Sequence, residues 1–185
     1  MKLNFGSAHD NLGGDWKNVD GLDWDGNTDV IWNMNNFPYP FESGTIEEIR
    51  SVENLEHISW KRTHQVLKEF NKLLVPGGAL HIQVPDCGKM MEYYVKHQIC
   101  HCVPHKATKG EFRADPDCFK CSGQGKVNPQ RWLLSFVGAQ KHEFDAHLAI
   151  FTERRLLNEL KEAGFVDIKF KPDINKLKVN CKKPI

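Results

Sequence analysis

Four cysteines in this chain have the types and spacing to hold a metal: Cys100 and Cys102, then, after fifteen intervening residues, Cys118 and Cys121. A C-x-C pair and a C-x-x-C pair each set two thiolates on one tight turn. Two such turns together make the tetrahedral S4 arrangement that zinc takes. A closed site of that kind keeps no position for substrate, so its expected role is structural. His97, His101 and His105 are alternative ligands if the tight C-x-C supplies one sulfur only, and a disulfide or free thiols are the competing reading. The segment that carries the cysteines, 87–130, is rich in Lys, Gly, Asp and Pro, and a bound metal would fold a stretch with so few apolar residues.

The rest of the chain bounds its own class. Its 185 residues fit one domain, with 87–130 as an insertion within it. A domain of this size buries roughly 70% of the surface of its unfolded chain, so the core itself needs no metal. Charge is balanced, 25 basic against 24 acidic residues, which argues against a duplex nucleic-acid binder. The late lysines (Lys169, Lys171, Lys176, Lys178, Lys182, Lys183) read as a solvated strand and terminus rather than a phosphate patch. No apolar run approaches the ~20 residues of a membrane span, and no signal-peptide pattern opens the sequence. Clustered thiols in such a chain suggest a reducing, cytoplasmic setting. Cys87 and Cys181 read as small buried apolar residues.

Elements that could position a site follow from the pattern. Lys2 to Phe5 and Trp16 to Val19 read as strands, the second closing on Asp20. The residues between them are too few for an ordinary helical crossover, so that helix should be missing or reduced to a turn. Asp29 to Trp32 is a third strand, Phe37 to Phe41 an extended proline-bearing loop, and Glu48 to Val52 a fourth strand. An amphipathic helix covers Lys61 to Leu74, with Val66, Leu67, Phe70, Leu73 and Leu74 on one face. Pro76-Gly77-Gly78 should end it, before a fifth strand from Ala79 to Val84. A helix is expected over Lys89 to Gln98 and a short one over Pro129 to Gly138. Thr152 caps a third, ended by Gly164, with Leu156, Leu157 and Leu160 inward. Phe165 to Phe170 and Leu177 to Cys181 complete an α/β domain as an antiparallel pair at one edge.

The succession KLNFGSA, NVD, DVIWNMNNFPYPFE, SVENLEHI, LKEFNKLLVPGGALHIQVPD and FTERRLLNELKEAGF resembles the class I S-adenosylmethionine (SAM)-dependent methyltransferases. It looks closest to a short branch that begins at its first strand and often accompanies sugar-modifying genes. The likeness covers roughly 2–86 and 147–181. It implies a Rossmann-like seven-stranded sheet in the order 3-2-1-4-5-7-6 with strand 7 antiparallel, the cysteine-rich segment being inserted after strand 5. CFKCSGQG, Cys118 to Gly125, also resembles one half-repeat of the zinc region of J-domain co-chaperones.

The resemblance places cofactor contacts at Gly6, Ser7, Ala8, Asp20, Asn33, Met34, Asn35 and Glu53. Gly6 would let backbone approach the amino-acid end of SAM, and Asp20 would accept the ribose hydroxyls. Three departures stand out: Ala8 where a second glycine is usual, Asn33 where an aspartate is usual, and Glu53 where relatives often show a histidine. Methyl transfer from a sulfonium needs alignment, and a base only when the nucleophile is a hydroxyl or similar group. Candidate bases near strand ends are Glu53, Asp86, His142, Asp145 and His147, of which Glu53, Asp86 and His147 are the expected catalytic set. His57 reads as part of a helix start. The expected function is methylation of a small polar acceptor such as a sugar or glycan hydroxyl, with structural Zn2+. The alternatives are a degenerate fold serving as a binding module, and a nucleic-acid methyltransferase.

Overall fold

A computed structural model describes residues 1–24, 26–97, 136–141 and 144–185, the side chains of 93–97 excepted. Cys100, Cys102, Cys118 and Cys121 lie outside the described residues, as do His101, His105, His142 and most of the helix expected at Pro129 to Gly138.

Seven strands form one sheet: β1 (Lys2–Phe5), β2 (Trp16–Asp20), β3 (Val30–Ile31), β4 (Ile46–Val52), β5 (Leu74–Pro85), β6 (Val166–Lys171) and β7 (Lys176–Lys182). Their order is β3-β2-β1-β4-β5-β7-β6, and only β7 runs against its neighbours β5 and β6. That is the expected sheet. No helix separates β1 from β2, yet the two pair in parallel, Leu3 opposite Lys17 and Phe5 opposite Val19.

The register sorts the side chains. Leu3, Phe5, Val19, Ile49, Leu80, Ile82, Val179 and Cys181 sit on one face, all buried. Among the described residues, the helices α1 (Thr63–Leu73), α2 (Cys87–His97) and α3 (Glu153–Glu162) join the strands. From α1, Val66, Leu67, Phe70 and Leu73 enter that same core, and from α3 Leu156 and Leu160 do. Each such side chain contributes roughly 1.5–3 kcal/mol on burial. Leu157 is only half-buried, so the inward stripe of α3 is narrower than expected. Thr152 does cap α3, its hydroxyl accepting from Arg155 N at 3.3 Å.

The opposite face is polar. Asn18, Asn4, Arg50, His81, Asn180 and Lys169 stand in register across six strands. Asn4 donates to Asn18 Oδ1 (3.1 Å), Arg50 donates to Asn4 Oδ1 (2.8 Å), and His81 Nε2 meets Glu48 Oε1 (2.9 Å). Over β1 and β2 the loop at residues 6–15 does the covering: Asn4 donates to Asp10 O, and Asn18 bonds both backbone groups of Leu12. A parallel sheet normally has helices on both faces and near-continuous apolar strands; here the strands alternate apolar and polar residues.

One expectation fails at Pro76-Gly77-Gly78. These residues do not form a turn before β5; they lie inside it, because β5 begins at Leu74 directly after α1. Gly77 takes φ +76, and a Cβ on Gly78 would stand 3.2 Å from Glu47 O. The three residues kink the strand where its register with β4 shifts, between Ile46 and Glu48.

Candidate functional site

At the carboxyl ends of β1 to β4 a cleft of about 260 Å³ opens, lined by Gly6, Ala8, Asp20, Gly21, Trp24, Asn33, Met34, Asn35, Glu53, Asn54, His57, Ile58, Phe144 and Asp145. Strand ends in open α/β sheets are where ligands bind. Of the eight expected cofactor residues, all but Ser7 line this cleft. Ser7 is buried at 1% exposure, and its Oγ has no hydrogen-bond partner among the described residues.

Backbone strain concentrates here. Gly6 takes φ +69, and the non-glycine residues Ala8 (φ 42) and Glu53 (φ 49) share the left-handed region. Such conformations cost about 1 kcal/mol or more in non-glycine residues and gather at ligand sites. Alanine at position 8 therefore keeps the backbone shape a glycine would take. A Cβ on Gly6 would lie 2.3 Å from Asn54 Cγ and 2.4 Å from its Cβ. The close neighbour that excludes a side chain at position 6 is Asn54, a cleft residue that the motifs did not single out.

Asp20 has three donors on its carboxylate: Ala8 N on Oδ2 (3.0 Å), and Leu22 N (3.2 Å) and the Trp24 indole (3.1 Å) on Oδ1. A carboxylate has about four acceptor sites, so among the described residues these donors leave one for a ligand hydroxyl, and two if the indole moves away. Asn33 closes on its own loop, its Oδ1 accepting from Asn35 N (2.9 Å) and Nδ2 (3.2 Å). Met34 is at once core and cleft wall: 6% exposed, with Asn54 Nδ2 on its sulfur and Tyr39 Oη donating to its carbonyl. Tyr39 comes from the Phe37 to Phe41 loop and packs on Phe5 at 5.3 Å, which ties the cleft floor to the core.

Among the expected bases, Glu53 is ion-paired with Lys176 and accepts from Gln83 Nε2 (3.2 Å). Lys176 belongs to the lysines read as solvated, and this pairing across the sheet corrects that reading for it. Asp86 does not line the cleft. It starts α2, its Oδ1 accepting from Lys89 N at 3.0 Å and its carbonyl from Met90 N, which is helix capping. His147 lies beside the cleft, reached through a crossing segment: Leu148 N and Ala149 N donate to Glu56 O, and His147 N to Val137 O. This brings His147 to a one-turn 3-10 helix, Leu55–His57, the expected helix start at His57. Glu56, in that turn, is 1% exposed. Burial first, then the Glu53 charge, pushes its carboxyl up to about 8. Cys87 and Cys181 are buried thiols as expected, burial pushing Cys181 up to about 12.

No protein-family model matches the sequence, and no curated protein does. Solved structures do match. A SAM-dependent, possible histamine N-methyltransferase from Thermotoga maritima aligns at 12% identity over 99% of this chain and 82% of its own, TM-score 0.53. A SAM-dependent methyltransferase from Methanosarcina mazei aligns at 15% over 100% and 92%, TM-score 0.53. Phosphoethanolamine N-methyltransferase 2 of Haemonchus contortus, with phosphomonomethylethanolamine and S-adenosylhomocysteine, aligns at 12% over 100% and 49%, TM-score 0.56. This chain has the class I methyltransferase fold. It spans about half of the Haemonchus chain, and 62% of a possible exported protein from Bordetella parapertussis that shares the fold. Among the described residues no helix is long and apolar enough to cross a membrane.

Proposed function

We propose that the protein is a SAM-dependent methyltransferase acting on a small polar acceptor, with a sugar or glycan hydroxyl as the first class to test. One observation carries the reading: Gly6, Ala8, Asp20, Met34 and Glu53, from four separate strand ends, line one cleft on a methyltransferase sheet. When bound, SAM supplies an electrophilic methyl group on a sulfonium. The chain's own part is to hold and align. Asp20 is suited to a ribose hydroxyl through its remaining acceptor site, Met34 to the flat face of the adenine, and the Glu53 carboxylate to an ammonium, in place of or beside Lys176. Asp145 and His57 line the same cleft and are two of the polar groups suited to face an acceptor. His147, beside them, is the expected residue on the acceptor side.

A second reading has its own support. Asp20 and Asn33 are largely satisfied by protein donors, and Asn54 rests against Gly6. A degenerate fold that binds a protein instead of SAM would look the same. Calorimetry separates the two. The enzyme reading expects SAM to bind with a micromolar Kd, and Asp20→Ala to weaken it by at least about tenfold, the worth of one charged hydrogen bond. Absence of SAM binding at millimolar concentration leaves the binding module.

For the insertion, the proposal is one structural Zn2+ on Cys100, Cys102, Cys118 and Cys121, supported by their spacing. Cobalt substitution should give an intense thiolate-to-metal charge-transfer band that disappears in a Cys118→Ser, Cys121→Ser double variant. A metal-free protein with an unchanged fold would remove the zinc from this account.

A further inference from the structure

Beside the cleft, three side chains converge that the cofactor reading leaves unused. One ligand atom from each of Glu56, His57 and His147 lies within 4.8 Å of the other two. The imidazoles of His57 and His147 meet edge to face, ring centroids 4.9 Å apart. His57 Nδ1 faces Ala146 O at 3.2 Å. A carbonyl only accepts, so Nδ1 is the donor in that bond, the kind of backbone contact that orients the ring of a metal-binding histidine.

The second observation is independent of the clustering. Glu56 is 1% exposed, and its Oε2 is buried with no hydrogen-bond partner among the described residues. Buried carboxylate oxygens are rarely left so, and one that is calls for a ligand or a proton. The backbone holds the group in place: both Leu148 N and Ala149 N donate to Glu56 O, at 2.7 and 3.0 Å, pinning the His147 segment to the 3-10 turn.

We infer that Glu56, His57 and His147 form a site for one divalent transition cation on the acceptor side of the cleft. Two imidazoles and one carboxylate are a donor set of borderline hardness, suited to zinc, iron or manganese and distinct from the thiolates of the insertion. At metal–ligand lengths of about 2.1 Å, ligand atoms stand roughly 3–3.5 Å apart, so side-chain rotations of about an ångström close the site. Three protein ligands leave coordination positions open, and His57 also lines the cleft, so those positions reach the acceptor. A cation there would bind an acceptor oxygen and favour its deprotonated form, so the substrate class it selects is a hydroxyl or vicinal diol. That catalytic role rests on the methyl-transfer reading; the cation site itself does not.

Manganese is the probe, since it disfavours thiolates and leaves the cysteine segment alone. The full chain, without SAM, is titrated with Mn2+ and bound ion is read by electron paramagnetic resonance. One Mn2+ per chain is expected, with affinity reduced at least about tenfold in both Glu56→Gln and His147→Asn. On the parent protein, Mn2+ should broaden the imidazole resonances of His57 and His147 ahead of that of His81. The inference is overturned if the parent binds no Mn2+ at millimolar concentration, if both variants bind like the parent, or if His81 broadens first. A failure of SAM to bind in calorimetry, with Mn2+ bound as described, would sink the enzyme reading and keep the cation site.

Discussion

Gly6→Ala should lower stability by about 3 kcal/mol, combining the left-handed backbone penalty with overpacking. The new methyl group would sit 2.3 Å from Asn54 Cγ and 2.4 Å from Asn54 Cβ, atoms too near the backbone to swing away. For a chain of this length the thermal midpoint should fall by roughly 6–12 °C. Gly14→Ala is the control: φ is +75 there, but nothing lies within 4 Å, so only the backbone penalty of about 1 kcal/mol applies. Adding Asn54→Gly to Gly6→Ala should recover the difference between the two. Thermal denaturation of the four proteins decides it. Equal losses at Gly6 and Gly14 would mean that the contact with Asn54 is not what excludes a side chain at the tip of β1.

The second large effect concerns Glu56, measured with divalent metal chelated. Its folded carboxyl is raised from 4.5 to about 8 by burial and by Glu53, with Lys176 acting against the rise. His57 and His147 also face it. A carboxyl raised in the folded state binds its proton more tightly there than in the unfolded chain. Its contribution is therefore fully present below pH 4.5 and is lost as pH rises through about 8. Up to about 4 kcal/mol of stability should disappear from this group between pH 5 and pH 8. Glu56→Gln, which cannot ionise, should flatten that slope and be more stable than the parent at pH 8. Urea denaturation across the pH range checks both. A parent slope that survives unchanged in Glu56→Gln would assign the loss to other groups.

Much of the fold was legible because the strands alternate. Leu3 and Phe5 against Lys2 and Asn4, or Leu80 and Ile82 against His81 and Gln83, is a period-two signal that no helix imitates. The missing first crossover was legible too, from chain length alone between Phe5 and Trp16. What misled was Pro76-Gly77-Gly78: the sequence pattern is that of a turn, and only pairing with β4 and the approach of Glu47 O make it a kink within β5.

The cofactor side of the cleft was readable because its residues end a strand or lie within a few positions after one, as Asp20 ends β2 and Gly6 and Glu53 follow β1 and β4. The other residues depend on distant partners. Lys176 meets Glu53 across 123 positions of sequence, and no local pattern announces such a pair. Glu56 was not singled out in the sequence; it is buried because the segment 146–149 crosses over it. Asp86 did carry a local signal, an Asp just before a helix, and capping was its outcome.

The division of the sheet into an oily side and a wet side also guards how the chain assembles. If any strand slid one position along its neighbour, Leu3, Ile49 or Leu80 would trade places with Asn4, Arg50 or His81. A guanidinium or an imidazole would then be driven among Phe5, Phe70 and Leu67. A sheet greasy on both sides tolerates such slippage far more readily. A slipped register is therefore penalised in this molecule, which favours the alignment that brings the four strand tips together around the cleft.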